Sequence, residues 1–86
     1  MENRIPDETA DAQEILRYVF DALASKGFDP VLQLVGYFTT GDPTYITAHR
    51  NARTVIRRIE RDELLEEVMR FYVEHNDEIN AGKTIE

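Results

Sequence analysis

Two corners in the first half of the chain constrain its fold most, because each ends one helix and starts the next. Gly27 precedes an Asp-Pro pair at residues 29–30. Gly41 is followed at once by Asp42 and Pro43. Glycine tolerates the left-handed conformation that closes a helix, aspartate caps a helix N-terminus, and proline fits the first helical position. The sequence is therefore predicted to fold as short helices joined by tight turns.

Apolar spacing between and beyond these corners predicts four main helices. Asp11 is placed to cap the first, in which apolar residues recur at three- and four-residue steps up to Leu23. Residues 31–38 are apolar nearly all round, and two further apolar faces span 47–59 and 64–73. The predicted fold class is all-α, a small compact bundle with a further short helical turn at 42–46.

The ends of the chain lack this periodicity. Residues 1–10 are predicted to be a flexible tail, residues 11–75 a single helical domain, and residues 76–86 a frayed end. A domain of 86 residues has a small core, so a homodimer is predicted as a way to bury more apolar area.

Composition excludes several classes of function. The chain has no cysteine and two distant histidines, so no metal site and no cofactor is predicted. It has no glycine-rich phosphate loop and no nucleophile–base set, so it is not predicted to be an enzyme. No signal peptide or long apolar run is present, which predicts a cytoplasmic protein without membrane insertion.

A basic segment interrupts this acidic chain, whose net charge is −7. Four of its arginines step by three, four and four residues, so one face of a helix from Thr47 to Ile59 would hold them if it continued far enough. Such a face binds phosphates or carboxylates, and the same spacing also fits a solvated face paired with nearby glutamates. The candidate partner-binding residues are Arg50, Arg53, Arg57, Arg58 and Arg61.

Two smaller features, the corner at residues 41–43 and Thr9, each allow a structural and a functional interpretation. The corner of Gly41, Asp42 and Pro43 is explained as a structural turn, and it also suits a rigid recognition corner. Thr9 is the one hydroxyl-bearing residue before Tyr18 and lies among acids. It is a candidate phosphorylation site or an ordinary tail residue.

A helix-turn-helix DNA-binding regulator is the alternative function. Residues 31–38, the turn after them and the helix Thr47–Ile59 have the required order, with arginines toward the groove. The net charge of −7 argues against it, because phosphate contacts supply most of the affinity for DNA. Nucleic acid is therefore not the expected partner.

An ordered set of segments resembles the IreB family of regulatory phosphoproteins. The segments are KGFDP at 26–30, QLVGY at 33–37, GDPTYI at 41–46 and ERDELLEE at 60–67. The resemblance implies a small helical homodimer without enzymatic activity, in the cytoplasm of Gram-positive bacteria. It also implies that a transmembrane Ser/Thr kinase with PASTA repeats, and its partner phosphatase, act on the protein.

The same resemblance implies a role in the cell envelope and in antibiotic tolerance. In the best understood branch, the unphosphorylated protein promotes degradation, by a Clp protease system, of the enolpyruvyl transferase that commits carbon to peptidoglycan. The family's basic helix matches Arg53, Arg57 and Arg61, which are expected to contact a partner. Thr9 matches the acid-threonine part of the family's phosphoacceptor motif, and the basic-aromatic continuation is absent here.

Overall fold

The computed structural model describes residues 4–82, and these form five α-helices and no strand. Two short 3-10 turns, Pro43–Tyr45 and His49–Asn51, lie between the second and third helices. The all-α fold class is confirmed. The helices are α1 (Ala12–Ser25), α2 (Pro30–Thr40), α3 (Ala52–Ile56), α4 (Arg61–Glu74) and α5 (Asp77–Gly82).

Aspartate caps and left-handed glycines set the first helix boundaries. The Asp11 carboxylate accepts a hydrogen bond from the Glu14 N–H at 3.0 Å and opens α1. Asp29 caps α2 in the same way, with Pro30 as the first helical residue. Gly41 ends α2 in the left-handed region, at φ 75°, because a residue with a β-carbon is strained there.

The first helix is the centre of the core. Its buried face packs against α2, α3 and α4, so each of these helices covers one side of α1. Burial of these apolar side chains is the main term that stabilises a domain of this size. The core consists of Ile15, Leu16, Tyr18, Val19, Ala22, Leu23, Leu34, Tyr37, Ile46, Ala52, Val55, Ile56 and Leu64.

The helix expected over Thr47–Ile59 is much shorter than predicted. Arg50 and Asn51 both adopt left-handed backbone angles, with φ of 56° and 64°, so a continuous helix cannot pass through them. The α-helical part is Ala52–Ile56, five residues long. The recognition helix required by the DNA-binding alternative is therefore not formed as predicted.

The last part of the fold differs from the prediction at two points. The helix α4 starts at Arg61 with Glu60 in the capping position, two residues earlier than the expected cap at Asp62. Residues 77–82 form α5, an element that the sequence pattern did not predict. Residues 1–3 of the predicted tail and 83–86 of the predicted frayed end lie outside the described residues.

Candidate functional site

The five candidate arginines do not share one helix face. The helix α3 ends at Ile56, and Arg57 follows as its C-cap. Arg58 lies in the link to α4, whose first residue is Arg61. The single helical face expected from the spacing is therefore wrong, because the helix stops before three of the arginines. Each guanidinium group has a different environment.

Arg50 is held inside the fold by α1. Its guanidinium carbon lies 5.0 Å from the centre of the Tyr18 ring, and its side chain is 18% exposed. One terminal nitrogen lies 3.5 Å from the Asp21 carboxylate. The Tyr18 hydroxyl donates to the Arg50 carbonyl at 2.7 Å. These contacts fix both the left-handed backbone and the side chain of Arg50, so it joins α3 to α1.

Arg53 and Arg61 converge on the corner between α2 and α3. The Nε of Arg53 donates to the Ile46 carbonyl at 2.8 Å. A terminal nitrogen of Arg61 donates to the Phe38 carbonyl at 3.0 Å, near the C-terminus of α2. A guanidinium has five N–H groups, so each of these side chains is positioned by one bond and retains further donors.

The corner itself is rigid and acidic. The N–H of Thr44 and then its hydroxyl donate to the Asp42 carboxylate, at 3.0 and 2.7 Å. These bonds, with the charge of Arg53 nearby, hold the pKa of Asp42 below its ordinary value. Arg53 and Arg61, which are separate from the Gly41–Asp42–Pro43 corner in the sequence, lie beside it in the structure.

Arg57 is the cluster member whose guanidinium makes no intramolecular bond to residues 4–82. Its side chain is exposed at the end of α3. We name Arg53, Arg57 and Arg61 the arginine surface. It combines one unpaired guanidinium with two that backbone carbonyls hold in place, and such groups bind carboxylates or phosphates with little loss of conformational freedom.

Arg58 contacts the opposite end of the chain. One of its terminal nitrogens donates to the carbonyls of Pro6 and Asp7, at 2.8 and 2.9 Å. Pro6 is buried, and the exposed Thr9 is hydrogen-bonded to Asp7 through both its N–H and its hydroxyl. We name residues 4–10 the N-terminal arm.

Apolar side chains cover the outer side of α2. Val31, Leu32 and Val35 are 57%, 65% and 51% exposed. The helix α2 contains no charged residue, and it packs beside α4, which exposes Met69 and other apolar groups. The outer side of α2 is therefore an exposed apolar surface without charge.

Residues 4–82 lack both a metal-binding cluster and a membrane-spanning helix, and a groove lies at their surface. No group of three histidine, aspartate or glutamate side chains is placed to hold a metal ion there. None of the helices in that range combines the length and apolar character that crossing a bilayer requires. An open groove lined by Phe38, Leu65 and Arg61 lies beside the arginine surface.

A family model described as IreB regulatory phosphoprotein matches residues 2–74. A UPF0297 protein of Ruminiclostridium cellulolyticum is 59% identical over 69 residues, covering 79% of this chain and 78% of the relative. UPF0297 proteins of Acetivibrio thermocellus and Lachnoclostridium phytofermentans are 53% and 52% identical. The first covers 79% of this chain and 76% of itself, and the second 74% and 73%.

Proposed function

The chain belongs to the IreB family of regulatory phosphoproteins, and on that premise we propose that it is a non-enzymatic regulator that acts by binding other proteins. The family match over residues 2–74 is the observation that carries this proposal. A small chain whose distinctive surface groups are arginines and aliphatic side chains is equipped for binding. Its role is regulatory, as the family description states.

The finer function that we propose follows the resemblance. The protein is a cytoplasmic substrate of a Ser/Thr kinase and its phosphatase, and it controls peptidoglycan synthesis and the response to cell-envelope stress. Its partners are a Clp protease system and the enolpyruvyl transferase that this system degrades. Thr9, exposed in the N-terminal arm, is the proposed phosphoacceptor.

The arginine surface is the proposed docking site for the protein partner. Arg57 has no bond to another described residue, and the contacts of Arg53 and Arg61 leave donors on both groups unused. A partner segment with carboxylates satisfies these donors, whereas an apolar segment leaves them desolvated and unpaired. The partner is therefore expected to present an acidic surface.

A second copy of the chain is the proposed occupant of the outer side of α2. The surface of Val31, Leu32 and Val35 is apolar and uncharged, so two copies meet there without like-charge repulsion. Association through α2 supplies the apolar burial that an 86-residue core lacks.

Capture of the partner tests the docking site. The immobilised protein is mixed with the purified enolpyruvyl transferase and the ATPase subunit of the Clp system. We expect Arg57→Ala to reduce capture at least about tenfold, as for loss of a central arginine in an interface. The matched control is Arg17→Ala, which removes another exposed arginine, on α1. Equal capture by the wild type and Arg57→Ala would show that the surface is not the docking site.

Phosphorylation is tested separately, by incubation with the cognate kinase and peptide mass spectrometry. We expect one phosphate on the peptide containing Thr9 and none on Thr9→Ala. Modification at another hydroxyl instead would move the phosphoacceptor and would leave the family assignment intact.

A further inference from the structure

Arg50 and Asn51 form a strained turn in front of α3. Both adopt left-handed backbone angles, with φ of 56° and 64°, which cost free energy for any residue that has a β-carbon. Two such residues in succession persist only where surrounding contacts hold them in place. In this fold those contacts come from α1.

Tyr18 of α1 holds the turn through both its hydroxyl and its ring. The hydroxyl donates to the Arg50 carbonyl at 2.7 Å, and Tyr18 itself is buried. The guanidinium carbon of Arg50 lies 5.0 Å from the ring centre, and one terminal nitrogen lies 3.5 Å from the Asp21 carboxylate. The hydroxyl therefore fixes the main chain of Arg50, whereas the ring and Asp21 fix its side chain.

The guanidinium of Arg50 lies against α1 and is withdrawn from the arginine surface. Its Nε is buried, with no hydrogen-bond partner among the residues that the structure describes. The side chain is 18% exposed, so little of it is open to another protein. Arg50 therefore acts on the docking site through its backbone conformation and not through its charge.

The same turn sets the position of Arg53. The hydrogen bond from the Arg53 Nε to the Ile46 carbonyl spans seven positions and encloses both left-handed residues. Ile46 and Ala52 are fully buried, so the chain is anchored before and after the turn. A change of the turn between these anchors reorients α3, and both Arg53 and its neighbour Arg57 move with that helix.

We propose that Tyr18 and Arg50 are positioning residues of the docking site, because together they hold the turn that directs the arginine surface toward its partner. The proposal rests on the function above in one respect, that this surface binds a protein. It gives Arg50, a candidate binding residue by sequence, a role through its main chain. It also makes a buried residue of α1, 32 positions away, a determinant of docking.

The Tyr18 hydroxyl is tested by Tyr18→Phe, which keeps the ring. We expect capture of the transferase and the Clp ATPase subunit to fall about fivefold, as for the loss of one hydrogen bond. Ile15→Val is the matched control, because it destabilises the same helix from a buried position and leaves the turn intact. Urea unfolding compares the two losses of stability. Undiminished capture by Tyr18→Phe, or an equal loss in Ile15→Val, would overturn the proposal.

The backbone of Arg50 is tested by two substitutions that both remove the guanidinium. Glycine adopts the left-handed conformation without strain, whereas alanine does not. We expect Arg50→Gly to retain capture within about twofold and Arg50→Ala to lose about fivefold. The double variant of Tyr18→Phe and Arg50→Gly should regain the capture that Tyr18→Phe loses. Equal capture by the glycine and alanine variants would overturn the proposal, because the backbone conformation would then make no difference.

A measurement on the protein alone distinguishes failure of this proposal from failure of the docking site. Exchange of the Arg53 Nε–H with water, followed by NMR, reports on its bond to Ile46. We expect exchange to accelerate about fivefold in Tyr18→Phe and to return to the wild-type rate in the double variant. An unchanged rate in Tyr18→Phe would overturn the positioning role. The expected rates together with full capture by Arg57→Ala would instead refute the docking site.

Discussion

The guanidinium group of Arg61 lies directly against the α-carbon of Gly41. A β-carbon built on Gly41 would be 2.9 Å from the Arg61 Cζ, closer than real β-carbons approach other atoms. The same arginine donates to the Phe38 carbonyl. Glycine at this corner therefore serves two purposes, the left-handed turn and the space for Arg61.

Gly41→Ala is expected to destabilise the fold by about 2–3 kcal/mol. The left-handed backbone costs about 1–2 kcal/mol for a residue with a β-carbon, and displacement of Arg61 adds about 1 kcal/mol for its hydrogen bond. Urea unfolding monitored by circular dichroism measures the change. Gly27→Ala is the matched control, because Gly27 has φ 87° and no atom within 4 Å of its β position. Equal losses in the two variants would show that the Arg61 contact contributes nothing.

The ring of Tyr45 fills the space where a side chain on Gly36 would lie. A β-carbon on Gly36 would overlap that ring, with Cγ at 2.9 Å. Gly36→Ala is expected to cost about 1–3 kcal/mol through this overlap and to regain about 1 kcal/mol from the helix propensity of alanine, so the net change should be a loss of up to about 2 kcal/mol. Denaturant unfolding measures the sum. In a Tyr45→Ala background the same change should become stabilising, and a persistent loss would contradict this explanation.

Substitution of Arg50 is expected to lower stability, whereas substitution of Arg57 is expected to leave it nearly unchanged. Arg50→Ala removes a largely buried side chain that stacks on Tyr18, and should cost about 1–3 kcal/mol in thermal unfolding. Arg57→Ala alters an exposed group and should change stability by less than about 0.5 kcal/mol. A large loss of stability in Arg57→Ala would assign that residue to the fold.

Self-association is expected to depend on α2. Sedimentation velocity at micromolar concentration should show a species of twice the 10.0 kDa chain mass. Leu32→Asp should reduce it to the monomer, because a charge at the centre of the apolar surface cannot be buried unpaired. Phe20→Asp places the same charge at an exposed apolar site on α1 and is the control. A wild type that sediments only as the monomer contradicts the proposed dimer.

Acid is expected to weaken the corner between α2 and α3. The pKa of Asp42 is lower in the folded chain than its ordinary value of 3.8, mainly because the Thr44 N–H donates to it. Its ionised form therefore stabilises the fold above pH 3.8, and this contribution is lost as pH falls through the folded pKa. Asp42→Asn keeps a capping acceptor that does not titrate. Its melting temperature should fall less steeply than the wild type's below about pH 4, and identical profiles would contradict the assignment.

Local chemistry was sufficient to predict the first helix boundaries. Caps such as Asp11 and Asp29 and the left-handed Gly41 act through bonds to residues two to four positions away, so the sequence displays both partners. The same reasoning failed after Thr47, because the break there is set at long range. The Tyr18 hydroxyl, 32 positions away, binds the carbonyl of the left-handed Arg50.

The sequence predicted the arginines as a group of candidate binding residues, and their arrangement in space was beyond the sequence. Arg53, Arg58 and Arg61 bind carbonyls 7, 52 and 23 positions away, and nothing in residue spacing indicates such partners. Spacing assumes a continuous helix, whereas these side chains extend from a helix, a link and a helix start. The meeting of Arg53 and Arg61 with the Gly41 corner is a product of tertiary packing.

The bonds from Arg58 to the N-terminal arm end on main-chain oxygens, which every amino acid supplies. Substitutions at Asp7 and at most other arm positions therefore leave the acceptors in place, and the arm can diverge among relatives while the attachment persists. A contact of this type leaves no pair of co-varying residues in an alignment. Its evolutionary trace would be retention of the arginine alone, opposite a segment of variable sequence.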